Sequence, residues 1–253
     1  MRFNRSKFEA KFPALTLAAA LAIVLSACSP AANEKPAASA TPVAAAPVNM
    51  YTTDFALKEN PISEGGRWID AKSVGLDWGN VYTIPGIAKG TAGPKRFADA
   101  TALLSGKWGP TQSAEAVVWS NKPFHYPEVS LRLRSSVSAH DCQGYEISNS
   151  LRTDDTAYLI IVRWNGPLAD FTYLTQLHGK QYGVKTGDVM KATIVGNVIT
   201  AYKNGVKEAE VTDNTYLTGN PGMGFNEGVN GDYGITRYTA SDAPIAPTSP
   251  ANP

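Results

Sequence analysis

Arg132 and Arg134 stand two apart in Val129–Arg134 (VSLRLR), and Glu146 sits in Gly144–Leu151 (GYEISNSL), followed at alternate positions by Ser148 and Ser150. Residues two apart share one side of a strand, so strands here present a pair of cations and a lone carboxylate. Such groups can hold an acidic sugar, or neutralise a uronate while another group moves a proton. Further along, Arg163-Trp164-Asn165 and Gln176-Leu177-His178 add a cation, an indole, two amides and an imidazole. The loop Phe225–Tyr233 (FNEGVNGDY) gathers Asn226, Glu227 and Asn230. Tyr145, Trp164, Tyr173, Tyr182, Tyr202 and Tyr233 supply rings that can stack on pyranose C–H faces. Each ring has an alternative use in core or cross-strand packing, and each arginine as a solvent-facing strand residue. The candidate ligand-binding set is Arg132, Arg134, Tyr145, Glu146, Arg163, Trp164, Asn226 and Glu227, with Glu146 and His178 as candidate catalytic groups.

Other chemistries lack their residues. His125, His140 and His178 are far apart, without H-E-x-x-H or C-x-x-C, so no zinc site is expected. Asp154-Asp155 and Asp232 could contribute to a Ca²⁺ site, but no D-x-D-x-D-G loop supports one, and no cofactor is expected. P-loop, dinucleotide and G-x-S-x-G signatures are absent.

The elements that must position these residues are strands. Val129, Leu131 and Leu133 alternate with Ser130, Arg132 and Arg134, and Tyr145 and Ile147 alternate with Glu146 and Ser148. Ala157–Trp164 (AYLIIVRW) is almost wholly apolar, as in a central strand, and Asn165-Gly166 predicts a turn into Phe171–Leu177. Val189–Val195, Val198–Lys203 and Val206–Val211 form a meander through the turns Gly196-Asn197 and Asn204-Gly205. Ala114–Ser120, Gly222–Phe225 and Tyr233–Tyr238 complete the set, and Arg96–Leu104 reads as either a short helix or a strand. This pattern predicts an all-β, antiparallel sandwich. Parity predicts that Arg132, Arg134, Glu146 and Arg163 emerge on one outer surface, where three arginines against one glutamate favour acidic glycans.

Gly187-Asp188, Val195-Gly196-Asn197 and Tyr202-Lys203-Asn204-Gly205, followed by Gly219-Asn220-Pro221-Gly222-Met223-Gly224, resemble the late strands of concanavalin A-like jelly rolls. Gly144-Tyr145-Glu146 and Ile161–Gly166 resemble bacterial members of that superfamily, which includes lectins, laminin-G domains and glucanases. The likeness spans most of Asp54–Tyr238 and implies the fold more than an activity. The E-x-D-x-E strand of the glucanase branch is missing. Gln176-Leu177-His178 resembles the Q-[IV]-H element of an alginate lyase family, whose R-[ST]-E-[LV]-R element is only echoed by Leu131–Arg134 and whose Y-F-K-A-G element is not found.

The ends of the 253-residue chain carry an address and a tether. Arg2, Arg5, Lys7 and Lys11 precede the apolar run Ala14–Leu25, and Leu25-Ser26-Ala27-Cys28 resembles a bacterial lipobox. That resemblance implies cleavage before Cys28 and acylation of its thiol and amine, giving a membrane partner through a lipid anchor. Residue 29 is Ser, so the resemblance implies the outer membrane if the source is Gram-negative. The expected organisation is a signal peptide at 1–27, an Ala/Pro-rich tether at 28–50, a sandwich at 51–240 and a disordered Pro-rich tail at 241–253. Net charge is +1 for the whole chain, and removing the four leading basic residues with Glu9 leaves about −2, which argues against nucleic acid as a partner. Once Cys28 is lipidated, Cys142 has no intrachain partner. The expected function is carbohydrate binding by a membrane-anchored lipoprotein, with a lyase or hydrolase of acidic glycans and a ligand-free structural envelope protein as alternatives.

Overall fold

The computed structural model describes residues 48–121, 128–226 and 231–243. Expectations resting on Cys28, the leader, the tether, His125, Glu227, Asn230 and the tail beyond 243 lie outside the described residues. Among the described residues no helix is long and apolar enough to cross a membrane.

The chain runs through β1 (Met50–Thr53), β2 (Trp68–Asp70), β3 (Val81–Ile84), β4 (Ile87–Gly90), β5 (Ala100–Leu104), β6 (Gln112–Ser120), β7 (Glu128–Ser138) and β8 (Asp141–Ser150). It continues through β9 (Tyr158–Gly166), β10 (Phe171–His178), β11 (Val189–Val195), β12 (Val198–Lys203), β13 (Val206–Thr212), β14 (Asn220–Asn226) and β15 (Tyr233–Ser241). One sheet has the order β13-β12-β11-β6-β15-β4-β3, with β1 also paired to β15; the other has the order β10-β9-β8-β7-β14-β5-β2. Every pairing is antiparallel, so the expected all-β sandwich is what forms.

Alternation explains the core between the sheets. Val129, Leu131, Leu133, Tyr145, Ile147, Leu159 and Ile161 of the seven-stranded sheet meet Ala114, Ala116, Val118, Met190, Ala192, Ile194 and Tyr238 of the other. The small alanines on the eight-stranded side leave room for Tyr145, Tyr238 and Phe225, as close packing requires.

Two local expectations are corrected and one open reading is decided. β9 is the next-to-edge strand of its sheet, not a central one; it is apolar on both faces because the outer face of this sheet is itself covered in part. Asn165-Gly166 ends β9 rather than making the turn, which is built from Pro167–Asp170 and closed by Asp170 N–H donating to the Pro167 carbonyl. The Arg96–Leu104 stretch is strand from Ala100 onward.

The cover on the outer face is the β2–β3 connection. Asp70 pins both of its ends: Oδ1 accepts from Lys72 N–H at 3.1 Å and Oδ2 from Val81 N–H at 2.9 Å. A 3-10 turn at Ala71–Val74 ends at Gly75, whose φ of 87° suits a residue without Cβ. Leu76 and Trp78 then drop onto Ile160, Val162 and Trp164, making a second apolar cluster with Ala71, Ala98 and Cys142.

Candidate functional site

Outer-face parity on the seven-stranded sheet collects the even-numbered residues of three neighbouring strands. Arg132 pairs across from Glu146, and Glu146 from Val162, while Ser130 and Ser148 lie opposite each other. Glu146 is the hub. Its Oε1 accepts from Ser130 at 2.8 Å and Ser148 at 2.6 Å; its Oε2 accepts from the Trp164 indole and forms an ion pair with Arg132 Nη1 at 2.6 Å. Arg132 Nη2 reaches Thr101 at 3.1 Å and Asp99 at 3.4 Å.

The expectation of a shared, exposed arginine surface is overturned by three placements. Arg132 is on the outer face but fully buried, with its guanidinium 5.3 Å from the Trp78 ring centroid and 5.8 Å from that of Trp164. A guanidinium is weakly hydrated and stacks on aromatic faces, so it tolerates this cover where an ammonium would not. Arg134 sits in a bulge with φ of 45°, where Gly144 lets the neighbouring strand close in: a Cβ there would come within 2.5 Å of Ser135 Cα. Its guanidinium donates to the carbonyls of Pro110, Gly196 and Tyr216. Arg163 pairs across from Tyr145 and therefore points toward the opposing sheet, where it meets Asp213 at 2.6 Å and Thr215 at 2.9 Å. Tyr145 itself is core, with its hydroxyl donating to Asp213.

Beyond the Trp78 cover, the same face opens into a groove of about 570 Å³. Glu146, Ile160, Val162 and Trp164 contribute to its floor, and Arg96 and Phe97 stand on one side. Phe171, Tyr173, Gln176 and His178 of β10 stand on the other, brought to one face by a register shift between Tyr173 and Thr175. Phe171 packs edge-on against Phe97 and Tyr173, both at 5.3 Å, and against Trp164 at 5.0 Å. Tyr173 is 49% exposed, so its ring face is accessible from the groove.

At the far end, Glu128, Asn226, Tyr158 and Arg152 line the groove. Asn226 Nδ2 donates to Glu128 Oε1 at 2.9 Å. Burial, and secondly the Glu146 charge, push the Glu128 carboxyl up to about 7, against the opposing pull of Tyr158, Asn226 and Arg132. The Tyr158 phenol is raised well above its usual range by burial and by Glu128. Oxygens of Asp99, Glu128 and Glu146 lie within 4.8 Å of one another, an oxygen set that could hold a cation such as Ca²⁺. Arg132 already lies against two of the three as a fixed positive charge. Cys142 is a free, buried thiol pushed up to about 12 by burial, and so is inert.

Of the expected site residues, Glu146, Trp164, Asn226 and His178 meet at the groove; Arg132 lies beneath it; Arg134, Tyr145 and Arg163 serve the sandwich interior and rim. Sequence reasoning missed Asp99, Glu128, Tyr158, Phe171 and Arg96. The signal for two of them was available: extending the even parity of β7 back one step reaches Glu128, and that of β9 reaches Tyr158.

No family model and no curated protein sequence matches the chain. Solved structures do. The metal-free carbohydrate recognition domain of Emp46p is 12% identical with a TM-score of 0.52, covering 77% of this chain and 97% of that one. The exoplasmic/lumenal domain of VIP36, in a form bound to Ca²⁺ and Man3GlcNAc, is 11% identical with a TM-score of 0.51, covering 79% and 98%. The carbohydrate-binding module CBM66 from Bacillus subtilis is 13% identical with a TM-score of 0.49, covering 71% and 93%. At such identities the likeness speaks for the fold alone, and with the two-sheet antiparallel architecture that fold is a concanavalin A-like jelly roll.

Proposed function

We propose that this protein is a glycan-binding lipoprotein that takes a neutral glycan into the groove on the outer face of its seven-stranded sheet. The observation that carries the reading is the aromatic wall of Phe171, Tyr173 and Trp164 facing hydrogen-bonding side chains across one open groove. Rings suit sugar C–H faces, while Gln176, Asn226, Arg96 and Arg152 can meet hydroxyls. The similar structures of the Emp46p carbohydrate recognition domain and of VIP36 bound to Man3GlcNAc agree with this reading.

The charged residues of the groove support a choice of ligand class. Asp99, Glu128, Glu146 and Asp155 line the groove, against Arg96 and Arg152 at the lip and Arg132 beneath. With Arg134 and Arg163 directed elsewhere and Arg132 covered, only Arg96 and Arg152 remain to meet a sugar carboxylate, which favours a neutral glycan over a uronate. A lyase mechanism also loses the two arginines it would use against a substrate carboxylate.

A glycan array carrying neutral and uronic oligosaccharides tests this, with wild type expected to bind neutral sugars. Exclusive binding of uronates would restore the acidic reading, release of shortened or unsaturated products would make the protein an enzyme, and no binding at all would leave a structural envelope role. We assign the anchor to lipidated Cys28, and Cys28→Ala is expected to move the protein from the membrane fraction to the soluble one.

A further inference from the structure

The two walls of the groove meet at one end and not at the other. Phe97, from the β4–β5 connection, and Phe171, from the start of β10, stand on opposite walls, and their rings are in edge contact at 5.3 Å. Phe171 in turn lies 5.0 Å from Trp164 on the floor, and Trp164 lies 4.4 Å from Trp78 of the cover. Rings at these separations are in van der Waals contact, so no sugar ring passes between or beneath them. Toward the other end the groove lies open: Tyr173, Gln176 and His178 on β10 and Asp155 and Thr156 of the β8–β9 connection are all exposed. The backbone holds the Phe97 ring in place against local preference. Ala98 N–H donates to the Lys95 carbonyl at 3.1 Å, which makes Phe97 the third residue of a turn, with φ of 65°. That conformation suits glycine and is disfavoured for a bulky side chain. The Phe97 ring also carries the Arg96 guanidinium, 4.6 Å from its centroid, which leaves that exposed cation beside the closed end.

We infer that the groove takes the end of a sugar chain and not a stretch from its interior. The inference rests on the glycan-binding reading and deepens it by naming the part of the glycan that is bound. An interior unit carries a further sugar on both sides, and one of the two would have to occupy the space filled by Phe97 and Phe171. A terminal unit instead presents a free hydroxyl to that end, where Arg96 stands as a donor. Its C–H face lies against Phe171 and Tyr173, and the rest of the chain leaves over the exposed edge of β10. A volume of about 570 Å³ falls in the range of small-molecule sites and suits a few sugar units, not a long run. Both termini of a glycan offer such a hydroxyl, one of them anomeric, and the experiment separates them.

The experiment counts protein molecules per sugar chain. The full-length protein is titrated by calorimetry with cellohexaose, mannohexaose and laminarihexaose, then with a long soluble fraction, of known mean length, of whichever linkage binds. The expected result is one protein per sugar chain at both lengths, because each chain has one end of the kind bound. A count that rises with chain length would show interior binding and overturn the inference, while leaving the glycan reading intact. Phe97→Gly removes the ring and suits the local φ, so it keeps the turn. It is expected to let several protein molecules bind along each long chain, where wild type binds one. A count of one in this variant would show that Phe97 and Phe171 do not close the groove, and would overturn the inference too. If Phe97→Gly misfolds, the wild-type count still decides. Borohydride reduction of the hexaose opens its reducing-end ring: loss of binding assigns that terminus to the groove, and unchanged binding assigns the opposite one. Failure of all three hexaoses and of the wider array would remove the glycan reading, and this inference with it.

Discussion

The two halves of one sheet face behave differently. Under the β2–β3 connection, Trp78 closes over Arg132, and Trp164, also buried, runs from beneath this cover into the floor of the groove. Toward the β10 edge of the same face, Tyr173, Gln176 and His178 are exposed around an open groove. Strand parity is the same in both halves, so parity alone does not separate structure from site. What separates them is a ten-residue connection, pinned by Asp70 at both ends, that covers one half and stops. The polar residues under the cover hold the sheet together; the matching residues beyond it are available to a ligand.

The difference can be broken most forcefully at Arg132. Arg132→Ala leaves Asp99 and Glu146 buried without their shared cation, a loss of about 3–5 kcal/mol, or on the order of 10 °C in Tm, measured by calorimetric or fluorescence melts. A change under 1 kcal/mol would show the covered half to be as dispensable as a surface.

Glu128 sits where the covered and open halves meet, and its effect appears in the pH profile. Its folded value of about 7 lies above the 4.5 of an ordinary glutamate, so the folded state holds the proton more tightly. Its contribution is therefore fully present at low pH and fades as pH rises from about 4.5 to 7, with a slope of up to about 1.4 kcal/mol per unit. Urea unfolding across that range is expected to show the decline in wild type and a flatter profile in Glu128→Gln.

On the open half, Tyr173→Ala is expected to change stability by less than about 0.5 kcal/mol while costing about 1–2 kcal/mol in binding of a neutral glycan. Column retention beside a thermal melt separates the two, and a variant that melts early but binds normally would reverse the assignment. The smallest effect belongs to Arg163. It is partly exposed and bridges to Asp213, which also holds Tyr145 and Thr215, so Arg163→Ala is expected to cost about 1 kcal/mol or less. Retention on the same glycan column should not change.

The meander β11–β13 shows what the sequence states outright: Gly196-Asn197 and Asn204-Gly205 punctuate period-two runs, and the strand limits follow almost residue by residue. Parity also put Glu146 on the outer face, as found. It could not say that Arg132 is buried there, because burial comes from Trp78, some fifty residues earlier, in a stretch without strand or helix periodicity. Arg134 was misassigned because a bulge is one extra residue, invisible to alternation, that turns the following side chain over. Arg163 went astray through a different route: an arginine in an apolar strand was read as outward, although its odd parity matched core residues Leu159 and Ile161. The groove's far end escaped because it joins residues from β7, β9 and β14, and only sheet order brings those strands together.

The most direct measurement uses the five tryptophans as built-in reporters. Trp164 lies in the groove floor with its indole N–H on Glu146, whereas the Trp68 indole bonds Tyr51 and Glu64 and that of Trp108 bonds the Ser105 carbonyl. Two-dimensional ¹⁵N NMR of the full chain, titrated with the hexaose that binds best on the array, follows all five indoles at once. The account predicts that the Trp164 resonance shifts in proportion to occupancy while those of Trp68 and Trp108 stay in place. A saturable shift at Trp68 or Trp108 with Trp164 unmoved would put the glycan elsewhere and contradict the assignment of the groove.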